Sequence, residues 1–156
     1  MNNLTLRKAN IADLPRLIEL LLEDELGATR ESKSAELDER YIKAFHKIDS
    51  DPNQYLMVVK NDDEIIGTCH LTIMPSLTFI GSTRMNVEAV RVAGKYRGKH
   101  IGSWMLNQAV HFANKHDVSI IQLTTNKNRL KAKHFYEKLG FEASHEGMKL
   151  YLRKTP

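Results

Sequence analysis

The chain has 156 residues, 42% hydrophobic and 27% charged, which is the composition of one globular domain able to bury a sizeable core. Its formal net charge is +4, too modest an excess to specify nucleic acid, and its single cysteine excludes an internal disulfide, which suits a reducing cytoplasm. The start, MNNLTLRKAN, has no apolar leader segment, and no unbroken apolar run reaches the ~18 residues of a membrane span, so a cytoplasmic protein away from the membrane is expected.

Leu4 to Lys8 alternates as a short strand. A helix follows, with Leu14, Leu17, Ile18 and Leu21 on one stripe, Asp13 as its expected cap and Pro15 in its first turn. Glu23 to Ser34 is polar and reads as a loop. Ser34 is the expected cap of a second helix that buries Leu37, Tyr41, Phe45 and Ile48. After a turn at Asp49 to Asn53, Tyr55–Lys60 and Glu64–Met74 read as strands joined at Asn61-Asp62-Asp63. Pro75 to Ser82 is a longer connection to the strand Arg84–Val92. A basic, glycine-bearing turn then enters a helix with Ile101, Met105, Ala109 and Phe112 on one face. Val118–Thr124 is a largely apolar strand, expected to be central and covered on both faces. Leu130–Leu139 is a helix ended by Gly140, and Phe141–Ala143 with Met148–Arg153 read as a closing pair of strands. About seven strands and about four helices, interleaved without strict βαβ alternation, predict an α/β (α+β) domain on a mixed, mostly antiparallel sheet.

The stretch Arg91 to Leu106, RVAGKYRGKHIGSWML, carries the strongest chemical signal. A strand, a turn with glycine at 94, 98 and 102, and a helix start together present unpartnered backbone N–H groups and a positive dipole end. Lys95, Arg97, Lys99 and His100 add a positive field, and the arrangement reads as a pyrophosphate cradle. A P-loop is excluded because Gly98-Lys99-His100 lacks the hydroxyl that binds magnesium. A dinucleotide fingerprint is excluded because Gly98 to Gly102 has the wrong spacing and follows a late strand. Nucleic acid is disfavoured as a partner, since aromatics do not interleave with the charges at Lys95–His100 and Lys127–His134.

Tyr96-Arg97-Gly98-Lys99-His100-Ile101-Gly102 resembles the acetyl-CoA signature R/Q-x-x-G-x-G/A of the GNAT superfamily of N-acetyltransferases. Arg97 fills its first position and Gly102 its last, while His100 stands where the pattern has its middle glycine. Phe135-Tyr136-Glu137-Lys138-Leu139-Gly140-Phe141 is similar to a second segment of that family, and the element order matches over nearly the whole chain.

The resemblance implies the GNAT fold, acetyl-CoA as donor and a small-molecule or peptide amine as acceptor, the two strands Arg84–Val92 and Val118–Thr124 splaying around the pantetheine arm. It implies donor contacts from Val90, Arg91 and Val92 on the strand. Further contacts would come from Arg97, Gly98, Lys99, His100, Ile101, Gly102 and Ser103 in the cradle, and from Asn126 beyond the next strand. It also implies that a homodimer is common. Tyr136 matches the family's general acid, since a phenol of pKa about 10 can protonate a thiolate while itself staying neutral beforehand. The alternative is that Tyr136 packs beside Ala132, Phe135 and Leu139. Glu88, mid-strand ahead of the cradle on the parity of Val90 and Val92, is the candidate base as a half-buried carboxylate. The alternative is a surface glutamate paired with Arg84 or Arg91. His70, mid-strand in Glu64–Met74, is a weaker substitute for that base and reads first as a hydrogen-bonded structural histidine. Asn126 as a turn former is the alternative to its donor contact. Lys131 and Lys133 read as 3′-phosphate contacts or as a solvated helix face. Cys69 reads as a buried strand cysteine rather than a nucleophile. No histidine spacing indicates a metal. The leading function is direct acetyl transfer to a primary amine, and the alternative is a non-catalytic acyl-CoA-binding regulatory module.

Overall fold

The alternation in LTLRK produces β1 (Leu4–Lys8), which pairs antiparallel with β2 (Gln54–Asn61). In this computed structural model, residues 3–23, 27–29, 31 and 37–152 are described. β2 reverses at Asp62 and Asp63 into β3 (Glu64–Met74), with Asn61 opposite Glu64 and Asp62 in the left-handed region at φ 54°. β3 pairs antiparallel with β4 (Thr83–Val92), and β5 (Val118–Leu123) completes a sheet of order β1-β2-β3-β4-β5. The helices are α1 (Leu14–Leu22), α2 (Glu39–Ser50), the single turn α3 (Thr78–Gly81), α4 (Ile101–Lys115) and α5 (Leu130–Lys138). Two compact units result, Met1–Gln122 and Leu123–Pro156.

In the first unit both faces of the sheet are covered, so β2 carries Met57, Val58 and Val59 consecutively buried. Leu14, Leu17, Ile18 and Phe45 of α1 and α2 pack with Ala9 and Val58 on one face. α4 lies against β3 and β4 on the other face, burying Ile101, Met105 and Ala109. Each of Ile101 and Met105 contributes roughly 1.5–3 kcal/mol by leaving water. Phe112, the last member of the predicted α4 stripe, is half-buried and meets Tyr55 with ring centroids 4.7 Å apart.

Several expectations need correction. Among the described residues the sheet has five strands and there are five α-helices, against about seven and four. Residues 141–152 form no strand: Met148, Leu150, Tyr151 and Leu152 are all exposed, so no apolar face is buried to offset the entropy of extending the chain. The fifth helix, α3, lies in the stretch read as a plain connection, and Phe79 and Ile80 within it are left-handed at φ 52° and 59°. β5 lies at the end of the strand order rather than in the centre, and its Ser119 and Gln122 are exposed. Asp13 makes no side-chain cap on α1. Asn10 caps the preceding turn, and buried Asp13 closes its capping box while taking two bonds from Arg7, at 2.6 and 2.8 Å. Asp38, whose side chain accepts the Arg40 amide, caps α2; the predicted cap Ser34 lies outside the described residues.

In the second unit, α5 ends at Gly140, whose φ of 92° is the left-handed conformation that suits glycine after a helix. Lys127 and Glu146 form an exposed ion pair of 2.8 Å.

Candidate functional site

The ladder between β3 and β4 is regular until His70 faces Glu88, and it resumes where Thr68 faces Arg91. Ala89 and Val90 therefore occupy the space opposite the single residue Cys69, and Ala89 takes φ 49°. This is a β-bulge, which bends the strand and leaves backbone polar groups outside the ladder. A non-glycine residue at positive φ costs about 1–2 kcal/mol, so strain is concentrated at this point of β4. The bulge also shifts side-chain parity. Glu88 shares the α1/α2 face with His70 and Thr68, whereas Val92 lies opposite Gly67, on the α4 face beside Met105. The parity expected for Glu88 with Val92 is thus broken. Glu88 is also exposed rather than half-buried.

Beyond β4 the chain makes a short 3-10 turn, Gly94–Tyr96, held by the Tyr96 amide on Ala93 O at 2.8 Å. Gly98 follows at φ 74° and His100 at φ 61°, two left-handed residues that swing the chain into α4. His100 makes no side-chain cap, and the first helical bond runs from Trp104 N to His100 O at 3.0 Å. The amides of Ile101, Gly102 and Ser103 therefore stand in the first turn of a 15-residue helix with no acceptor within it. Such a terminus attracts a bound anion. Ile101 is buried beneath it, and Gly102 and Ser103 are half-buried.

Two of the four basic side chains of the cradle, Lys95 and Arg97, are engaged within the same unit. Lys95 Nζ lies 2.8 Å from Glu64 Oε1, and the Tyr96 hydroxyl donates to Glu64 Oε2 at 2.8 Å. These contacts, Lys95 first, hold the Glu64 carboxyl below its ordinary range. Arg97 Nε donates to Val92 O at 3.0 Å, and Glu23 at the end of α1 accepts the Gly94 amide at 2.6 Å. Arg97 thus ties the turn back to β4. Lys99 Nζ sits 5.4 Å from the Tyr96 ring centroid, and His100 is exposed. Lys99 and His100 are therefore the basic side chains best placed to meet a ligand at the α4 terminus.

On the other side of the bulge, His70 Nε2 lies 2.6 Å from Gln54 Oε1, an oxygen that also accepts from Thr72 Oγ1 at 2.9 Å. A carboxamide oxygen only accepts, so with Gln54 in this orientation the contact fits the tautomer with the proton on Nε2 and a lone pair on Nδ1. Burial lowers the imidazole pKa below 6.5, with Glu88 opposing the shift. A cavity of about 160 Å³ opens here between α1, α2 and the sheet, and both His70 and Ala89 line it. The sequence carried no sign of the bulge, the cavity or the Gln54 bond, because all three arise from strand register.

Tyr136 and Asn126 belong to the second unit. Tyr136 is half-buried, its ring edge-on to Phe135 and Phe141 at centroid distances of 5.2 and 5.8 Å. Asn126 Oδ1 accepts the Asn128 amide at 2.9 Å, the turn-forming role. Lys131 is exposed and Lys133 pairs with Glu137 at 3.7 Å. Cys69 is fully buried, and burial pushes its thiol up to about 12. Among the described residues no cluster of three or more His, Cys, Asp or Glu could hold a metal, and no helix is long and apolar enough to cross a membrane.

Comparison with known proteins gives this geometry a family. The acetyltransferase (GNAT) family matches residues 14–141. A crystal structure from Bacillus halodurans, described as a transcriptional regulator, is 41% identical with a TM-score of 0.93, the match covering 96% of this chain and 100% of that one. Glucosamine-6-phosphate N-acetyltransferase from Arabidopsis thaliana shares the fold at 23% identity and TM-score 0.78, over 97% of this chain and 100% of that one. An acetyltransferase from Clostridium acetobutylicum, solved with acetyl-CoA, does so at 20% identity and TM-score 0.75, over 96% and 97% of the two chains. A search of curated protein sequences gives no significant match. With the family matched across most of the chain, including the cradle and the bulged strand before it, this protein belongs to the GNAT acetyltransferase family.

Proposed function

We propose that the protein is an N-acetyltransferase that moves the acetyl group of acetyl-CoA directly to a primary amine while both are bound. The observation that carries this reading is the α4 terminus, where a left-handed pair, Gly98 and His100, leads into a first turn without a side-chain cap. A diphosphate suits that terminus because its oxygens accept the amides of Ile101, Gly102 and Ser103 and meet Lys99. The donor supplies an activated thioester carbonyl. The backbone of Val90 to Val92 pairs with the pantetheine amides, and N–H groups freed at the bulge polarise the carbonyl. One such donor is worth about 2.7–4 kcal/mol in acyl transfer. Arg97 keeps the turn in place from Val92 O, and Asn126 contacts the pantetheine arm. Tyr136 supplies a proton to the departing sulfur, and exposed Glu88 passes the proton lost by the amine to solvent.

Calorimetry with acetyl-CoA and with coenzyme A, followed by thiol release over a panel of amines, tests the proposal. Micromolar donor binding and sustained thiol release with at least one amine are expected. Donor binding with no release from any amine would favour the second reading, a regulatory acyl-CoA-binding module. The regulator from Bacillus halodurans, at 41% identity, is the observation that favours that reading.

A further inference from the structure

The cavity beside the bulge has a chemistry that the transfer reaction does not by itself require. Its walls are Leu17 and Leu21 of α1 and Tyr41 and Phe45 of α2, over a floor of Leu56 and His70. At about 160 Å³ it has the size of cavities that take a benzene ring and stay dry. Ala89, the strained residue of the bulge, lines the same space, so the cavity reaches the strand that presents the freed amides. Among the described residues His70 is the one imidazole on the wall, and its Nε2 is held by Gln54 at 2.6 Å. A cationic amine with a long polar chain would lose its hydration here without compensation, whereas a phenyl or branched alkyl group gains about 25 cal/mol for each Å² buried.

We infer that this cavity takes the apolar substituent of the acceptor, an arylalkyl or branched alkyl amine, and that His70 Nδ1 takes the proton of its ammonium group. The inference rests on the acetyl-transfer reading and names its acceptor class. The ammonium gives one proton to Nδ1 and recovers its lone pair. The nitrogen then forms a bond to the acetyl carbon as the carbon–sulfur bond breaks. The nitrogen sheds a second proton and the departing sulfur gains one, so one proton in all leaves through His70. Glu88 faces His70 directly across the β3–β4 ladder and is exposed, so it balances the imidazolium and hands that proton to water. Among the described residues, the titratable groups facing His70 are Glu88 from β4 and, across the cavity, Tyr41 from α2, whose hydroxyl is bonded to Glu31; α1 contributes only aliphatic wall.

The test compares phenethylamine and isoamylamine with putrescine and ethanolamine, as calorimetric ligands of the donor-free protein and as acceptors. The variants are His70→Gln, which keeps a donor for Gln54, and Ala44→Leu, at an exposed position of α2 that lines the cavity. The apolar amines are expected to bind and to be acetylated at least tenfold more efficiently than the polar ones. Ala44→Leu should weaken both effects about tenfold with donor affinity unchanged. His70→Gln should lower kcat/KM about a hundredfold and remove the acidic inflection below pH 6.5. An imidazole signal in the Nε2–H tautomer on nitrogen NMR of the donor-free protein is a readout independent of turnover. Preference for putrescine, or a His70→Gln profile with its acidic inflection intact, would overturn the inference while leaving acetyl transfer standing. Absence of acetylation from every amine would overturn the transfer reading itself, and His70's role with it.

Discussion

His100→Gly separates what the backbone needs at the start of α4 from what the imidazole does. His100 sits at φ 61°, ψ 10°, where a Cβ crowds the neighbouring carbonyl at a cost of about 1–2 kcal/mol. Glycine removes that strain and adds about 0.5–1 kcal/mol of unfolded-state entropy to be lost on folding. The position is the N-cap, where glycine is tolerated, and the histidine side chain makes no cap that would be forfeited. The net expectation is a stabilisation of about 0.5–1 kcal/mol, which raises Tm by about 1–4 °C in a chain of this size. Urea and thermal denaturation measure it, with His100→Ala as control, because alanine retains the Cβ and should gain nothing. Acetyl-CoA titrated into the glycine variant should bind as tightly as to the parent or more so. A Tm below that of the parent, or an alanine variant as stable as the glycine one, would refute the strain argument. A tenfold loss of donor affinity, ~1.4 kcal/mol, would show instead that the imidazole binds the donor.

Other consequences are equally direct. Tyr136→Phe should cut kcat about a hundredfold with donor affinity nearly unchanged, because the ring contacts with Phe135 and Phe141 that position the side chain survive the loss of the hydroxyl. Ala89→Gly should stabilise by about 0.5–1 kcal/mol in urea, whereas Ala89→Val, β-branched at φ 49°, should destabilise by more than about 1 kcal/mol. Asp13→Asn should cost about 2 kcal/mol at pH 7, because buried Asp13 takes two charged bonds from Arg7. The Arg7 bonds, more than any other contact, hold the Asp13 carboxyl below 3.8. Its stabilisation is therefore present above that pH and lost as pH falls through the folded value, so parent and variant should converge in acid denaturation. Cys69, fully buried with its thiol pushed up to about 12, should resist alkylation at pH 8 until the protein unfolds.

Local information was sufficient for much of this protein. The runs Leu4–Lys8 and Glu64–Met74 become strands with the predicted bounds, and the α4 stripe of Ile101, Met105 and Ala109 is buried as its spacing requires. Periodicity of 2 or 3.6 is a property of neighbours in the chain, and so is the family signature across Arg97 to Gly102. Turn chemistry was legible for the same reason, as Gly98 and Gly140 show at their positive φ values.

Strand register lay beyond it. One extra residue opposite Cys69 put Glu88 across from His70 rather than in step with Val92, and no feature of MNVEAVRV announces that slip. The closing strands failed for a related reason, since alternation makes a strand only when a partner edge receives it. The Gln54 bond to His70 and the space beneath α1 and α2 likewise join residues distant in the chain. The amino-acid order determined the strands, the helices and the anion-ready turn; only packing between them decided which side chains meet at the site, because register is a sum over the whole sheet rather than a property of any one segment.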